Sequence, residues 1–222
     1  MALRRSISLL SALIISSAWA PAARAHPHVW VSMRSQVVFT ENGLIKGIGL
    51  DWTFDDAYTS MALDGLDSDG DGVYSPAEIA PLTKENIESL KGYEYFTAMR
   101  FNDGKQPIGD VTEYGQTWSK DGLALHFIVP LKTPLDPTKG EFSYKIYDPE
   151  FFVAIDYVDK DPVAVSGNMP QQCQLVVKPV PTEADLEQTR LMLSTKGTDW
   201  KPENNEDFGA LFAQPVLIQC QH

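Results

Sequence analysis

The twelve residues 67–78 read DSDGDGVYSPAE, a spacing of oxygen donors that matches the calcium loop of an EF-hand. Asp67, Asp69 and Asp71 stand at loop positions one, three and five, Gly72 at the sharp turn of position six, and Val73 offers its carbonyl at seven. Ser75 at position nine acts directly or through water, and Glu78 at twelve brings two oxygens. A hard cation with six to eight oxygen ligands takes such a set, and without one the clustered carboxylates repel one another. Ser75, Pro76 and Glu78 also spell a helix start, with an N-cap, a proline at the first helical position and a capping-box acid, so ligation and helix initiation share residues. The alternative is an acidic surface turn that matches the pattern without binding. No second loop of this type occurs in the sequence, so the site is expected to be structural, or weak, with a dissociation constant of ~0.1 to 1 mM.

A second set of potential ligands lies near the start. Arg4 and Arg5, the apolar run SLLSALIISSAWA and then Ala23, Arg24 and Ala25 form a secretory signal peptide over residues 1–25 with a small-x-small cleavage site. Cleavage after Ala25 leaves His26, Pro27, His28, with a free amine beside the His26 imidazole. Amine and imidazole nitrogens suit nickel, cobalt, zinc or copper, and strand alternation puts His26 and His28 on one side. Pro27 removes a backbone amide that a square-planar copper or nickel site would use, so further ligands must come from elsewhere. Asp51, Asp55, Asp56, Asp148 and His126 are the candidates. The plainer readings are a solvated terminus for His26 and His28, a solvated His126 and a terminal His222 without function.

Removing the leader takes three of the 18 basic residues and none of the 30 acidic ones, leaving 15 against 30. That balance repels nucleic acid and anionic membranes and attracts cations, or simply favours solubility. No stretch after the leader approaches the ~20 apolar residues of a membrane span. The remaining residues 26–222 are enough for a single periplasmic domain with a sizeable core. In an oxidising compartment Cys173 and Cys220 are expected to form a disulfide, with a thiolate metal site as the alternative.

The elements that must position these groups follow from periodicity. Val29, Val31, Met33, Val37 and Phe39 alternate along a strand at 28–40, a hairpin turn follows at Glu41, Asn42 and Gly43, and a return strand at 44–54 directs Leu44, Ile48, Leu50, Trp52 and Phe54 inward. Tyr58, Met61, Ala62 and Leu66 predict a helix over 55–66, and Ile79, Leu82, Ile87 and Leu90 one after the loop, which Pro81 should kink or restart. Together they form a helix, loop, helix excursion at about 55–91. Strands are expected at 93–101, 111–118 and 123–131 as hairpin neighbours, then at 142–147, 151–158, 163–166 and 173–177. A helix capped by Thr182 and ended by Gly197, a helical turn at 208–212 and a last strand to Cys220 complete the chain. The fold class is α+β, mostly β, an antiparallel sandwich or open barrel carrying the excursion.

The string HPHVWV after the leader, WTFDDAYTSMALDGLDSDGDGVYSPAEIAPL, ENIESLKGYEYFT and YDPEFFVAI resemble the bacterial domain-of-unknown-function family numbered 1007. The resemblance spans nearly all of residues 26–220, the two late cysteines included. Members are often labelled periplasmic components of an uncharacterised transport system and are commonly encoded beside, or fused to, nickel/cobalt permeases. The resemblance therefore implies a periplasmic accessory to an inner-membrane permease of that type, by analogy only.

Three functions compete. The first is a protein that captures or hands over a divalent transition metal at a permease, with calcium as a structural ion. The second is a calcium-stabilised interaction module without a transition metal. The third is a histidine-brace copper oxidoreductase, ranked lowest because no serine, histidine and acid arrangement, phosphate loop or reactive cysteine stands out.

Overall fold

A computed structural model of the protein describes residues 28–195 and 207–221. The leader, its cleavage site, His26, Gly197 and His222 lie outside the described residues.

Strand β1 (Val29–Phe39) buries Val29, Val31, Met33 and Val37 and exposes the residues between Val29 and Met33, as alternation requires. Gly43, at φ +77°, lets the chain turn back into β2 (Ile45–Phe54), antiparallel to β1 with Met33 opposite Trp52. The register slips at the far end of this hairpin, between Val38 and Phe39 on one side and around Lys46 on the other. The irregularity moves Ile45 into the core and leaves the expected Leu44 only half-buried.

The excursion follows. Helix α1 (Asp56–Leu63) is capped by Asp55 and stops three residues short of the expectation, where Gly65 turns left-handed at φ +76°. It buries Thr59 and Leu63 and leaves Met61 69% exposed. Helix α2 (Pro76–Lys91) runs unbroken through Pro81 and buries Ile79, Thr83 and Ile87. The helix therefore does not restart at Pro81.

A turn at Glu94–Phe96 replaces the first part of the strand expected at 93–101. Glu94, Tyr95 and Phe96 all have φ between 51° and 54°, three left-handed residues without a glycine. Each costs roughly 1–2 kcal/mol; Tyr95 and Phe96 are held there by burial, and the Tyr95 hydroxyl accepts from the Val111 amide at 3.2 Å. Strands β3 (Thr97–Phe101) and β4 (Gly104–Lys105) form one hairpin, β5 (Tyr114–Ser119) and β6 (Gly122–Leu135) another. These two hairpins lie in different sheets, so the expectation of hairpin neighbours holds for β5 and β6 but not for the strands at 93–101 and 111–118, because β3 turns back at once into the short β4.

Beyond them come β7 (Phe142–Ile146), β8 (Val153–Tyr157), β9 (Val163–Ser166), β10 (Cys173–Val177), α3 (Glu183–Ser194), α4 (Gly209–Phe212) and β11 (Val216–Cys220). One sheet has the order β5-β6-β2-β1-β8, with β9 also on β1; the other has β10-β11-β7-β3-β4. Both β8 and β9 pair with β1 in parallel, while the remaining pairs are antiparallel. Neither sheet closes into a barrel. The inner faces share one apolar core, in which Trp52 stacks on Phe96 at 6.2 Å and Tyr95 meets Phe127 at 6.3 Å. A polar contact also crosses it: Ser35 Oγ lies 2.7 Å from the Tyr144 hydroxyl and 3.1 Å from that of Tyr157. The fold is thus α+β, mostly β, a two-sheet sandwich with the helical excursion between β2 and β3.

Candidate metal centre

Asp67, Asp69 and Asp71 converge: one carboxylate oxygen from each lies within 4.8 Å of the others. The backbone enforces this. Gly70 and Gly72 sit at φ +76° and +77°, and a Cβ added at either would meet nothing within 4 Å, so conformation and not space demands glycine there. Asp67 accepts from the Gly70 amide at 2.8 Å and the Gly72 amide at 3.0 Å, Asp69 from Asp71 at 3.2 Å, and Asp71 from Val73 at 2.7 Å. Each carboxylate is pinned through backbone donors on one oxygen or both, which holds the loop in this conformation.

Glu78 stands outside that cluster and ties the loop together. Its Oε1 accepts from the amide and hydroxyl of Ser68 at 2.8 and 2.7 Å. Its Oε2 accepts from the amide and hydroxyl of Ser75 at 2.9 and 2.8 Å, while Ser75 Oγ caps α2 at the Glu78 amide. The Ser68 hydroxyl, then the Ser75 amide and hydroxyl and the Ser68 amide, hold the Glu78 carboxyl down at about 2. Val73 and Ser75 lie on the same loop. The donor set fits a hard divalent cation: three gathered carboxylates, a peptide carbonyl, a hydroxyl and one further carboxylate adjoining them.

Around the start of β1 the candidates divide. His28 is exposed; its amide donates to the Phe152 carbonyl at 2.8 Å and its ring lies 4.7 Å from that of Phe152. Asp55 accepts from the Trp30 amide at 2.8 Å as well as from Ala57 and Tyr58 at 2.9 Å each. Partial burial works to raise the Asp55 carboxyl, but these backbone donors bring it below its ordinary value. Asp148 is buried and accepts from Glu150, Phe152 and Val153 amides, fixing β8 beside β1. Both acids thus serve backbone groups at this end of the strand. Asp56 is an exposed first-turn residue of α1. Asp51 and His126 are cross-strand partners on the outer face, opposite Arg34, so a run of roughly 13 Å of strand separates their row from Trp30.

Cys173 and Cys220 are joined as the facing pair that begins β10 and ends β11, across 47 residues of sequence. The disulfide fits an oxidising compartment outside the cytoplasm. Among the described residues no helix is long and apolar enough to cross a membrane.

Polar atoms under α2 escaped sequence reasoning. Trp52 Nε1, Asn86 Nδ2 and both side-chain polar atoms of Gln116 are buried without a hydrogen-bond partner. Only Gln116 carried a signal, as a polar residue at an inward position between Tyr114 and Trp118.

Fold and site define a mostly β sandwich with a loop between two helices that gathers three carboxylates. The chain belongs to the family described as Protein of unknown function (DUF1007), whose profile matches residues 11–220. It is similar to an uncharacterized protein of Haemophilus influenzae, 26% identical over 221 residues, covering 98% of this chain and 100% of the relative. It is also similar to an uncharacterized 15.5 kDa protein in the trpE 3' region of Spirochaeta aurantia, 29% identical over 99 residues, which is 45% of this chain and 70% of the relative.

Proposed function

We propose that this is a periplasmic metal-binding accessory protein and not an enzyme. In this reading the loop at Asp67, Asp69, Asp71, Val73, Ser75 and Glu78 holds calcium as a structural ion. The processed start, through His26 and His28, captures or hands over nickel, cobalt, zinc or copper at an inner-membrane permease. The observation that supports it is the gathering of three carboxylates within 4.8 Å on a loop whose glycines already adopt the required turns. Calcium would supply the charge that offsets them, and Glu78 would move its oxygens from Ser68 and Ser75 to complete the shell.

A second reading, a calcium-stabilised interaction module without transition metal, is favoured by the engagement of Asp55 and Asp148 with backbone amides, which leaves fewer free ligands at the start of β1. Isothermal titration of a chain beginning at His26 separates the two. Stoichiometric calcium that disappears in the Asp69→Ala, Asp71→Ala double variant is expected, together with nickel, cobalt, zinc or copper binding that disappears in His26→Ala or when one residue precedes His26. Calcium binding alone would leave the second reading, and binding of neither class would remove both.

A further inference from the structure

Between β2 and the helical excursion lies a cavity of ≈ 190 Å³. Trp52 and Phe54 wall it on the sheet side, Tyr58, Asn86 and Leu90 on the helix side, and Phe96 beside them. No charged side chain lines it. An enclosed apolar cavity of about 150 Å³ accepts benzene, so this volume, bordered by the half-exposed Tyr93 and Phe152 and open on that side, suits one substituted ring or a short carbon chain.

The walls are not wholly apolar. Trp52 is only 2% exposed, yet its Nε1–H has no hydrogen-bond partner, and the Asn86 Nδ2 group on the facing helix has none either. The Asn86 amide oxygen is already taken, by the Tyr58 hydroxyl at 3.4 Å, and burial raises the Tyr58 pKa and keeps that hydroxyl protonated. What remains unpaired at this cavity is therefore donors. Gln116, the third residue with unpartnered buried atoms, sits in the same layer: Trp52 and Gln116 both face Leu125, which lines the cavity between them. Of the unpartnered buried side-chain polar atoms among the described residues, two are these lining donors and the other two are the amide nitrogen and oxygen of Gln116, which does not line the cavity. A buried donor left unpaired is costly, and natural structures keep one chiefly where something else supplies the acceptor.

We propose that this cavity binds a small uncharged molecule with an apolar body and one accepting oxygen, such as a monocyclic or short-chain carbonyl compound. The body lies against Phe54, Leu90 and Phe96. The oxygen accepts from Trp52 Nε1–H, with Asn86 Nδ2–H as the second donor from the helix side; both nitrogens lie buried behind the wall, so the two side chains must shift on binding to expose them. A carboxylate is disfavoured because the cavity offers no cation and the chain as a whole is acidic, at a net charge of −12. The site requires no ion in the neighbouring loop, so it stands or falls separately from calcium binding.

Acetophenone and ethylbenzene test it, since they match in shape and differ in the oxygen. With indole-¹⁵N-labelled protein, acetophenone is expected to give a saturable downfield shift of the Trp52 Nε1–H resonance and to bind about tenfold tighter than ethylbenzene, the worth of one buried hydrogen bond. Asn86→Leu, which removes the helix-side donor and retains an apolar wall, should reduce that preference with the other amide resonances in place. Trp52→Phe should abolish the indole signal and most of the remaining preference. Equal affinity for the two compounds, no saturable response to acetophenone, or an indole N–H that remains in contact with water at saturation would each overturn the proposal.

Discussion

Glu78 Oε1 accepts from both the amide and the hydroxyl of Ser68, at 2.8 and 2.7 Å, so the last residue of the acidic loop is bonded to its second. A calcium ion taking both Glu78 oxygens must replace these bonds and those to Ser75. The competition gives two opposed expectations. Glu78→Gln, which loses a charge and the bidentate grip, should weaken calcium binding by roughly tenfold or more, whereas Ser68→Ala, which removes one competitor, should strengthen it by about threefold to tenfold. Calorimetric titrations at fixed ionic strength read both, and equal affinities for Glu78→Gln and the parent would mean that position twelve is not used.

The same bonds set a pH dependence in the metal-free protein. The Glu78 carboxyl falls from an ordinary 4.5 to about 2 in the folded state, a depressed value. Its contribution is therefore fully present above pH 4.5 and is lost as pH drops from there through about 2. Amide exchange at Ser75, Glu78 and Ile79 should accelerate across that window as the N-terminal turn of α2 frays, beyond the change seen in amides of the core strands. In Glu78→Gln the extra step should be missing.

Across the core, Ser35 Oγ bridges the two phenols of Tyr144 and Tyr157 and so joins the sheets. Burial, with the Tyr157 phenol beside it, raises Tyr144 well above its ordinary value, so it remains a neutral donor or acceptor. Tyr144→Phe leaves Ser35 with Tyr157 and should cost about 1 kcal/mol; Ser35→Ala removes the atom that both phenols use and should cost roughly 1–3 kcal/mol. Urea unfolding of the two variants should preserve that order. A reversed order would mean that the phenols satisfy each other without the serine.

The disulfide between Cys173 and Cys220 closes a loop of 47 residues around α3 and α4. Chain-entropy reasoning puts its stabilisation at about 4 kcal/mol, so the Cys173→Ser, Cys220→Ser double variant should unfold at a clearly lower urea concentration. A midpoint unchanged by the substitution would mean that the unfolded chain gains little from its release.

What could be read from the sequence was local. The convergence of Asp67, Asp69 and Asp71 was legible because these carboxylates and the glycines between them are neighbours, and β1 because Val29, Val31, Met33 and Val37 repeat at the period of a strand. Pairings between distant segments were not: nothing in Val153–Tyr157 or Val163–Ser166 announces that both lie parallel to β1 along one edge. The left-handed turn at Glu94–Phe96 runs against the preference of its own residues and is fixed by burial of Tyr95 and Phe96, a tertiary effect. Asp55 and Asp148 were candidate ligands by type, yet their geometry gives them to backbone amides. Strict alternation places Leu44 in the core, and the slip around Lys46 breaks that alternation. Gly47, beside that slip, was the one local sign of it.

Gly47 and Gly70 are glycines for different reasons, and alanine should distinguish them. At Gly47 an added Cβ would sit 2.3 Å from the Val129 carbonyl oxygen and 2.8 Å from Pro130 Cα, both backbone atoms of the adjacent strand that cannot swing aside. Gly47→Ala must therefore push β2 from β6 where the register slips, at a cost of roughly 1–3 kcal/mol or more. At Gly70 the space is empty and only the φ of +76° resists, so Gly70→Ala should cost about 1–2 kcal/mol without calcium. The two differ most in where the damage falls. Hydrogen exchange should rise through β2 and β6 in Gly47→Ala, and only between α1 and α2 in Gly70→Ala. Protection lost in the sheet of the Gly70 variant would show that the loop and the sandwich unfold as one unit, coupled through contacts such as Tyr74 on Trp118.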